Sequence, residues 1–353
     1  MPATGAGRRG RGTEGETSKN VMEPLRTAVI GVGHFGQYHA EKFARVPESR
    51  LVAVADIDAA RAHECAARFG VEAVTDFRVL FGAVDAVSVA TPPRAHYEIA
   101  RAFLENGAHV LVEKPITAEL DHAATLIRVA RERGRVLQVG HLERFSAAGC
   151  ALQRIVCRPL YVEAVRVGPF QARATEVNAV LDLMIHDLDL ILAFVNAPIE
   201  WVHAAGAPVF SSAEDIVSSR IQFANGCVAN LTASRVNRHA KRRMHVYQPD
   251  SYTTINFLQK TVKIVRRAHG ESLPGVPKLH TDETHYGDAD ILEQEIVAFL
   301  RAIRTGSPPE VTGEDGWRAL NAALMITRSL GAYWQAIEDG NPPARAVAVA
   351  AGG

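Results

Sequence analysis

The stretch AVLDLMIHDLDLILAF, residues 179–194, has the apolar content of a buried helix, yet Asp182, His186, Asp187 and Asp189 interrupt it. On an α-helix, residues four apart share a face, so Asp182 and His186 fall on one edge, and Asp189 follows three residues later. A carboxylate beside an imidazole favours the charged ring and sets its orientation, which suits a general acid–base pair. The same spacing also suits a histidine simply satisfied by its neighbour at a domain surface. Two ligands at helical spacing are too few for a metal centre, and no metal is expected. Lys114 is the other candidate: it ends the apolar run AHVLVEK, directly before Pro115. A strand-end lysine can snorkel into solvent. Placed on a ligand-binding rim, it can instead donate to a developing alkoxide or ketone oxygen.

A second group of residues suits a dinucleotide. In RTAVIGVGHFGQYHAEKFARV, a β-branched apolar run over 28–30 leads into Gly31-Val32-Gly33-His34-Phe35-Gly36 and then a helical pattern. In such a G-x-G-x-x-G turn the first glycine makes the bend, and the second lets the backbone approach a pyrophosphate. The third lets the helix pack against the strand. The N–H groups of the helix start, with His34 and Phe35 in the turn, then face the phosphates. The next strand-like run, LVAVAD, ends at Asp56, 25 residues after Gly31. An acid about 20 residues on binds the ribose hydroxyls and disfavours a 2′-phosphate, so the expected cofactor is NAD rather than NADP. The competing reading has Asp56 only capping a helix over 58–69.

These residues must be held by elements, and the pattern supplies them. Strand-like runs near 72–74, 85–91, 108–114 and 136–141 alternate with helical stretches at 58–69, 76–82, 95–106 and 118–133. Such alternation predicts an α/β, doubly wound parallel sheet of the Rossmann type over 25–145. Ligands bind at the carboxyl ends of its strands, which places Thr91, Pro92, Pro93, Glu113, Lys114, Pro115, Gly140 and His141 on the rim. After Phe145 the rhythm changes: the helix with Asp182 is followed by six strand-like runs without helices, and Asn225-Gly226 marks a hairpin. The prediction for 146–338 is an α+β substrate-binding domain with an open, mostly antiparallel sheet, closed by helices near 288–305 and 313–336. The basic run ASRVNRHAKRR carries Arg235, Arg238, Lys241, Arg242 and Arg243, from which Arg235 and Arg243 are taken as diphosphate contacts. Arg144 is a further substrate candidate, and a solvated hairpin is the plain alternative for the basic run.

The G-x-G-x-x-G, TPPRAHYEIA, the EKP at 113–115 and the D-x-x-x-H at 182–186 stand here in the order found in the Gfo/Idh/MocA family of sugar and polyol dehydrogenases, which the chain resembles from about residue 25 to 336. The resemblance implies that Lys114, Asp182 and His186 are the catalytic trio. It also implies that His96 is the recurring rim histidine and that Pro115 is often cis. VGHLERF, VLDLMIHDLDLIL and LTASRV resemble the bacterial branch that oxidises the 3-hydroxyl of UDP-N-acetylglucosamine, ahead of an aminotransferase that serves lipid A synthesis. That branch usually has ERFNP where this chain reads ERFSAAG, which leaves a UDP-sugar uronate as a competing substrate. An inositol or free-sugar dehydrogenase and a non-catalytic NAD-sensing regulator share the same fold. Chemically, one group must take the hydroxyl proton while the nicotinamide takes the hydride, and the sequence leaves open whether Lys114 or His186 is the base.

Composition narrows the classes. The 353 residues are enough for two domains, and the apolar and charged fractions of 47% and 22% are those of an ordinary globular protein. Lys plus Arg equals Asp plus Glu, at 39 each, so no global basic field argues for nucleic acid. The four cysteines, without close pairing, are expected to be reduced thiols of a cytoplasmic protein, and no apolar run is long enough to span a membrane. Residues 1–24 are polar and glycine-rich, so a disordered extension is expected, with Met22 as an alternative start; 339–353 read as a flexible tail. The open sheet has a face to cover, which predicts a homodimer or homotetramer.

Overall fold

The computed structural model describes residues 23–171 and 177–339, with the backbone of 347–348. Residues 1–22 of the expected extension, with the Met22 start, and nearly all of the expected tail lie outside the described residues. Six parallel strands form the first sheet: β1 (Leu25–Ile30), β2 (Ser49–Ala55), β3 (Glu72–Val74), β4 (Ala86–Val89), β5 (His109–Glu113) and β6 (Leu137–Gly140). Their order is β3-β2-β1-β4-β5-β6, so the winding reverses between β1 and β4. Helices α1 (Gly36–Arg45), α2 (Ala59–Phe69), α3 (Pro93–Glu105) and α4 (Leu120–Glu132) link the strands. Covered on both faces, β4 is buried at all four positions, and its one polar residue, Ser88, is satisfied by His39 at 2.8 Å. The expected helix at 76–82 is a single 3-10 turn, Phe77–Leu80, capped by the Asp76 carboxylate.

The second sheet has nine strands in the order β14-β13-β12-β11-β7-β10-β9-β8-β15. They are β7 (Tyr161–Val167), β8 (Ile199–Ala207), β9 (Ile216–Phe223), β10 (Val228–Ser234), β11 (Lys241–Gln248), β12 (Ser251–Asn256), β13 (Thr261–Leu273), β14 (Val276–His285) and β15 (Val347–Ala348). All neighbours are antiparallel except β7 and β10. The Asn225-Gly226 turn joins β9 to β10, with Gly226 at φ +85°, where an L side chain is strained. Helices α5 (Ala147–Ile155), α6 (Ile185–Val195) and α8 (Gly313–Glu338) cover one face. Met184, Ile185, Leu188 and Ile191 pack there against Val202, Ile221, Leu231, Met244 and Ile326. The sequence reading missed α5 and β14. All ten residues of β14 are exposed, so it carries no apolar alternation and is held by pairing with β13.

Packing crosses the expected boundary at 145. Helix α7 (Ile291–Thr305) buries Ile296, Phe299 and Leu300 among Val29, Phe43 and Leu111 of the first unit. Val311 and Leu320 also join the first core, and Gln138 bridges to Thr312. An amphipathic helix shows that it covers a core, while its sequence does not say which one.

Helix α7 also places a carboxyl group in that core. Glu295 is fully buried, and neither of its oxygens has a partner among the described residues. Burial, and then the nearby Glu113 charge, raise its pKa well above the usual 4.5 and favour its protonated form. Unfolding frees it to ionise, so this group costs stability progressively as pH rises above about 4.5. Each tenfold displacement of proton affinity is worth about 1.4 kcal/mol. The neutral isostere in Glu295→Gln is therefore expected to melt higher than the parent at pH 8, with the difference shrinking toward pH 4.5. Thermal midpoints across that range check this; a pH-independent difference contradicts it.

Candidate active site

The acidic stretch is helical, but it does not begin as an α-helix. Val180–Met184 form a π-turn that runs into α6. Wider π-turns shift side chains off the four-residue face, and they gather at functional sites. Asp182 therefore does not pair with His186. Its carboxylate lies 3.9 Å from Arg235, and its backbone oxygen accepts from Lys114 Nζ at 2.8 Å. Asp187 is bridged by Arg166 of β7 through two bonds of 2.9 Å, and Arg166 also reaches Glu143 at 3.0 Å. Asp189 accepts from Arg144 at 3.0 Å, and Arg144 lies 3.3 Å from Asp315 at the start of α8. Burial opposes the Arg166 charge, yet Asp187 and Glu143 outweigh it and raise its pKa. Burial pushes the Asp187 carboxyl up, and Arg166 works against that.

His186 is left half-buried, with Nδ1 unpartnered among the described residues. Burial holds its pKa well below the usual value, and the charges of Lys114, Arg166, His141 and Arg242 push the same way. The expectation that Asp182 keeps this ring basic is overturned, because the groups that act on it most are cationic. His141, at the carboxyl end of β6, is buried with both ring nitrogens unpartnered among the described residues, and burial lowers its pKa too. Thr91 Oγ1, after β4, is a fourth such atom. Buried polar atoms in folded proteins nearly always have partners, so four orphans on three rim residues fit a site that receives a ligand.

The glycine turn has the shape a dinucleotide needs. Gly31 has φ +84°, and a Cβ on Gly36 would lie 1.7 Å from Gly31 O, so both positions demand glycine. A Cβ on Gly33 would meet nothing within 4 Å, leaving a cradle at the start of α1. His34 and Phe35 are exposed beside it, with ring centroids 5.4 Å apart, and Phe35 provides no side-chain cap for the helix. Asp56 accepts from Val32 N at 3.0 Å and from Asp58 N at 3.0 Å, and Arg61 lies 3.3 Å away. It clamps the glycine turn to the end of β2, while Asp58 caps α2. Pro92 precedes α3, and the Lys114–Pro115 bond is cis. Glu113 pairs with His39 at 3.0 Å and accepts from Lys114 N at 3.2 Å. Against its burial, His39 and Lys114 keep the Glu113 carboxyl below its usual range.

Other sequence candidates turn out to be braces. His96 is fully buried, and its nitrogens lie 2.9 Å from Pro115 O and 2.7 Å from Thr91 O. It ties two rim loops together. Arg144 and Arg235, taken as substrate contacts, are buried and matched by carboxylates. Arg235 bonds Asp215 at 2.7 Å, Ser211 and the Val177 carbonyl. Arg243 points away from α6, because Met244 on the same strand is the residue that faces the helices. Arg166 and His39 were missed; each looks like an ordinary surface residue until the tertiary structure supplies its partner. The glycine geometry predicts that Gly33→Ala keeps its melting temperature but loses NAD affinity at least tenfold, read by NADH fluorescence. Gly36→Ala is expected to lose the folded state itself. Equal NAD binding by Gly33→Ala and the parent contradicts the cradle.

Comparison with known proteins agrees with this geometry. Residues 25–141 match the family described as "Oxidoreductase family, NAD-binding Rossmann fold", and residues 163–249 match the "GFO/IDH/MocA C-terminal domain". The chain is 38% identical over 315 residues to UDP-N-acetylglucosamine 3-dehydrogenase of Acidithiobacillus ferrooxidans, across 89% of this chain and 100% of that one. A solved structure of that enzyme matches with a TM-score of 0.83, 38% identity and the same coverage of both chains. The scyllo-inositol 2-dehydrogenase (NAD(+)) of Bacillus subtilis is 28% identical over 325 residues, across 86% of this chain and 94% of that one. Levoglucosan dehydrogenase, solved with NADH, shares the fold at a TM-score of 0.77 and 20% identity, across 87% of this chain and 97% of that one. With both parts of the chain matched in order, and a relative aligned over its whole length, the chain belongs to the Gfo/Idh/MocA oxidoreductase family and is an NAD-binding dehydrogenase.

Proposed function

We propose that this dehydrogenase oxidises a secondary hydroxyl of a nucleotide sugar, at C3 of UDP-N-acetylglucosamine. The substrate follows from the relative that matches at 38% identity over its whole length. The observation that carries the chemistry is the gathering of Lys114, His141 and His186 at the carboxyl ends of the first sheet, where α6 meets it. On this reading, residues 25–145 bind the cofactor and most of 146–338 build the substrate wall.

His186 is the proton acceptor in this mechanism. Burial and neighbouring cations keep its ring neutral, and a neutral imidazole has a nitrogen lone pair that can receive the hydroxyl proton. Lys114, steadied by the Asp182 carbonyl, donates to the same oxygen and stabilises its developing charge. Arg166 adds positive potential from behind Asp187. Asp182 positions Lys114 through its backbone and does not act on the imidazole. The nicotinamide, when bound, takes the hydride from carbon. The product is a ketone beside an acetamido group, a substrate for amino transfer, and an aminotransferase of the lipid A route is the partner this reading names.

The face of the second sheet opposite α6 carries Tyr161, Tyr247 and Tyr252, with ring centroids 5.8 and 6.0 Å apart along the row. A second copy covers this face on our reading, and light scattering measures it. Among the described residues, no helix is long and apolar enough to cross a membrane. The cytoplasm, where the sugar nucleotide is made, is the compartment this function requires.

Absorbance at 340 nm with NAD and UDP-N-acetylglucosamine, with an aminotransferase to trap the ketone, tests the whole proposal. NADH with myo-inositol, and none with the sugar nucleotide, replaces it with a polyol dehydrogenase. His186→Gln and Lys114→Ala are each expected to lose about 10²-fold or more in kcat while NAD binding persists. Near-normal turnover in both sinks the assignment. Because the pKa of His186 is lowered, kcat/KM should stay level through neutrality and fall only on the acid side of pH 6.5. An acid limb centred above 6.5 argues against His186 as the acceptor.

A further inference from the structure

Besides the buried Arg235, which lies 3.9 Å from Asp182, the basic run after β10 places a second arginine on the face of the catalytic helix, one that spacing does not single out. Side chains alternate along β11, and Met244 and Val246 are buried beneath the helices. Arg242 therefore shares their face. Lys241, Arg243, His245 and Tyr247 lie on the other. In register, Arg242 sits opposite Arg166 of β7, whose guanidinium holds Asp187, the residue after His186. The Arg242 charge is felt at both His186 and Asp187. Of the four arginines around the start of α6, Arg144, Arg166 and Arg235 are buried in carboxylate pairs, and Arg242 is the exposed one.

We propose that Arg242 binds the sugar-linked phosphate of a nucleoside diphosphate sugar. The inference rests on the function proposed above and names the residue that selects a phosphorylated over a free sugar. In such a substrate the C3 carbon and the first phosphorus are joined through C2, C1 and the anomeric oxygen. A hydroxyl presented to His186 thus brings the phosphate to the neighbouring strand. A planar guanidinium meets phosphate oxygens through two parallel bonds. The phosphate is bound equally in the ground and transition states, so the residue acts on KM more than on kcat.

The test uses the full-length enzyme and three variants: Arg242→Gln, Arg243→Gln and Arg220→Gln. Arg220 is an exposed arginine of β9 on the face away from α6, and it controls for loss of charge. We expect Arg242→Gln to raise KM for UDP-N-acetylglucosamine and the inhibition constant of UDP, each at least tenfold. Its kcat should stay within about threefold, with unchanged NAD binding and melting temperature; Arg220→Gln should match the parent throughout. An active parent with an unaffected Arg242→Gln overturns this inference alone. So does a loss carried by Arg243→Gln or shared by Arg220→Gln. A parent that neither oxidises the sugar nucleotide nor binds UDP overturns the proposed function as well.

Discussion

Three arginine–carboxylate clamps hold the helix on which the site depends. Arg166 takes Asp187, Arg144 takes Asp189, and Arg235 approaches Asp182 while bonding Asp215. The arginines come from β7, from the turn after β6 and from just past the end of β10; two of them hold α6 and the third meets the π-turn before it. Burying such pairs adds little net stability, because the desolvation of two charges offsets their attraction. Their value lies in direction: leaving one partner uncompensated costs about 3–5 kcal/mol, so α6 has one acceptable orientation. An apolar face would allow the helix to slide or roll. Three charged ties do not, and His186 stays where the rim of the first sheet can reach it.

The rim itself is set by charges that push neighbouring groups apart in proton affinity. His39 and Lys114 favour the ionised form of Glu113, while burial and that carboxylate favour the protonated form of Glu295. Gly140 leaves room for Glu113, since a Cβ there would meet its Oε1 at 3.0 Å. Lys114 then extends from the end of β5 to the π-turn and ties the rim of the first sheet to the start of α6 through the Asp182 carbonyl. The cationic surroundings that hold His186 neutral are the same ones that would stabilise an alkoxide beside it. One field thus favours both a neutral proton acceptor and an ionised substrate oxygen.

Much of the fold was legible in the sequence. The largely apolar runs of β1, β2, β4 and β5 and the alternating helices announce a parallel sheet covered on both faces. The glycine turn announces a pyrophosphate, because Gly31 and Gly36 answer local backbone demands that no other residue meets. Lys114 and His141 could be placed on the ligand rim because strand ends follow from periodicity, and the carboxyl edge of a doubly wound sheet is where ligands bind.

What tertiary structure alone decided is pairing. Helical spacing joined Asp182 to His186, and a π-turn separated them. Counting basic residues favoured Arg235 and Arg243, whereas strand register buried the first and turned the second away. Helix α7 looked like part of the second unit until its apolar face met the first core. In each case the sequence states what a side chain can do, through its type and its place in a local repeat. Its partner comes from an element tens of residues away, and long-range packing sets that meeting where local periodicity does not reach.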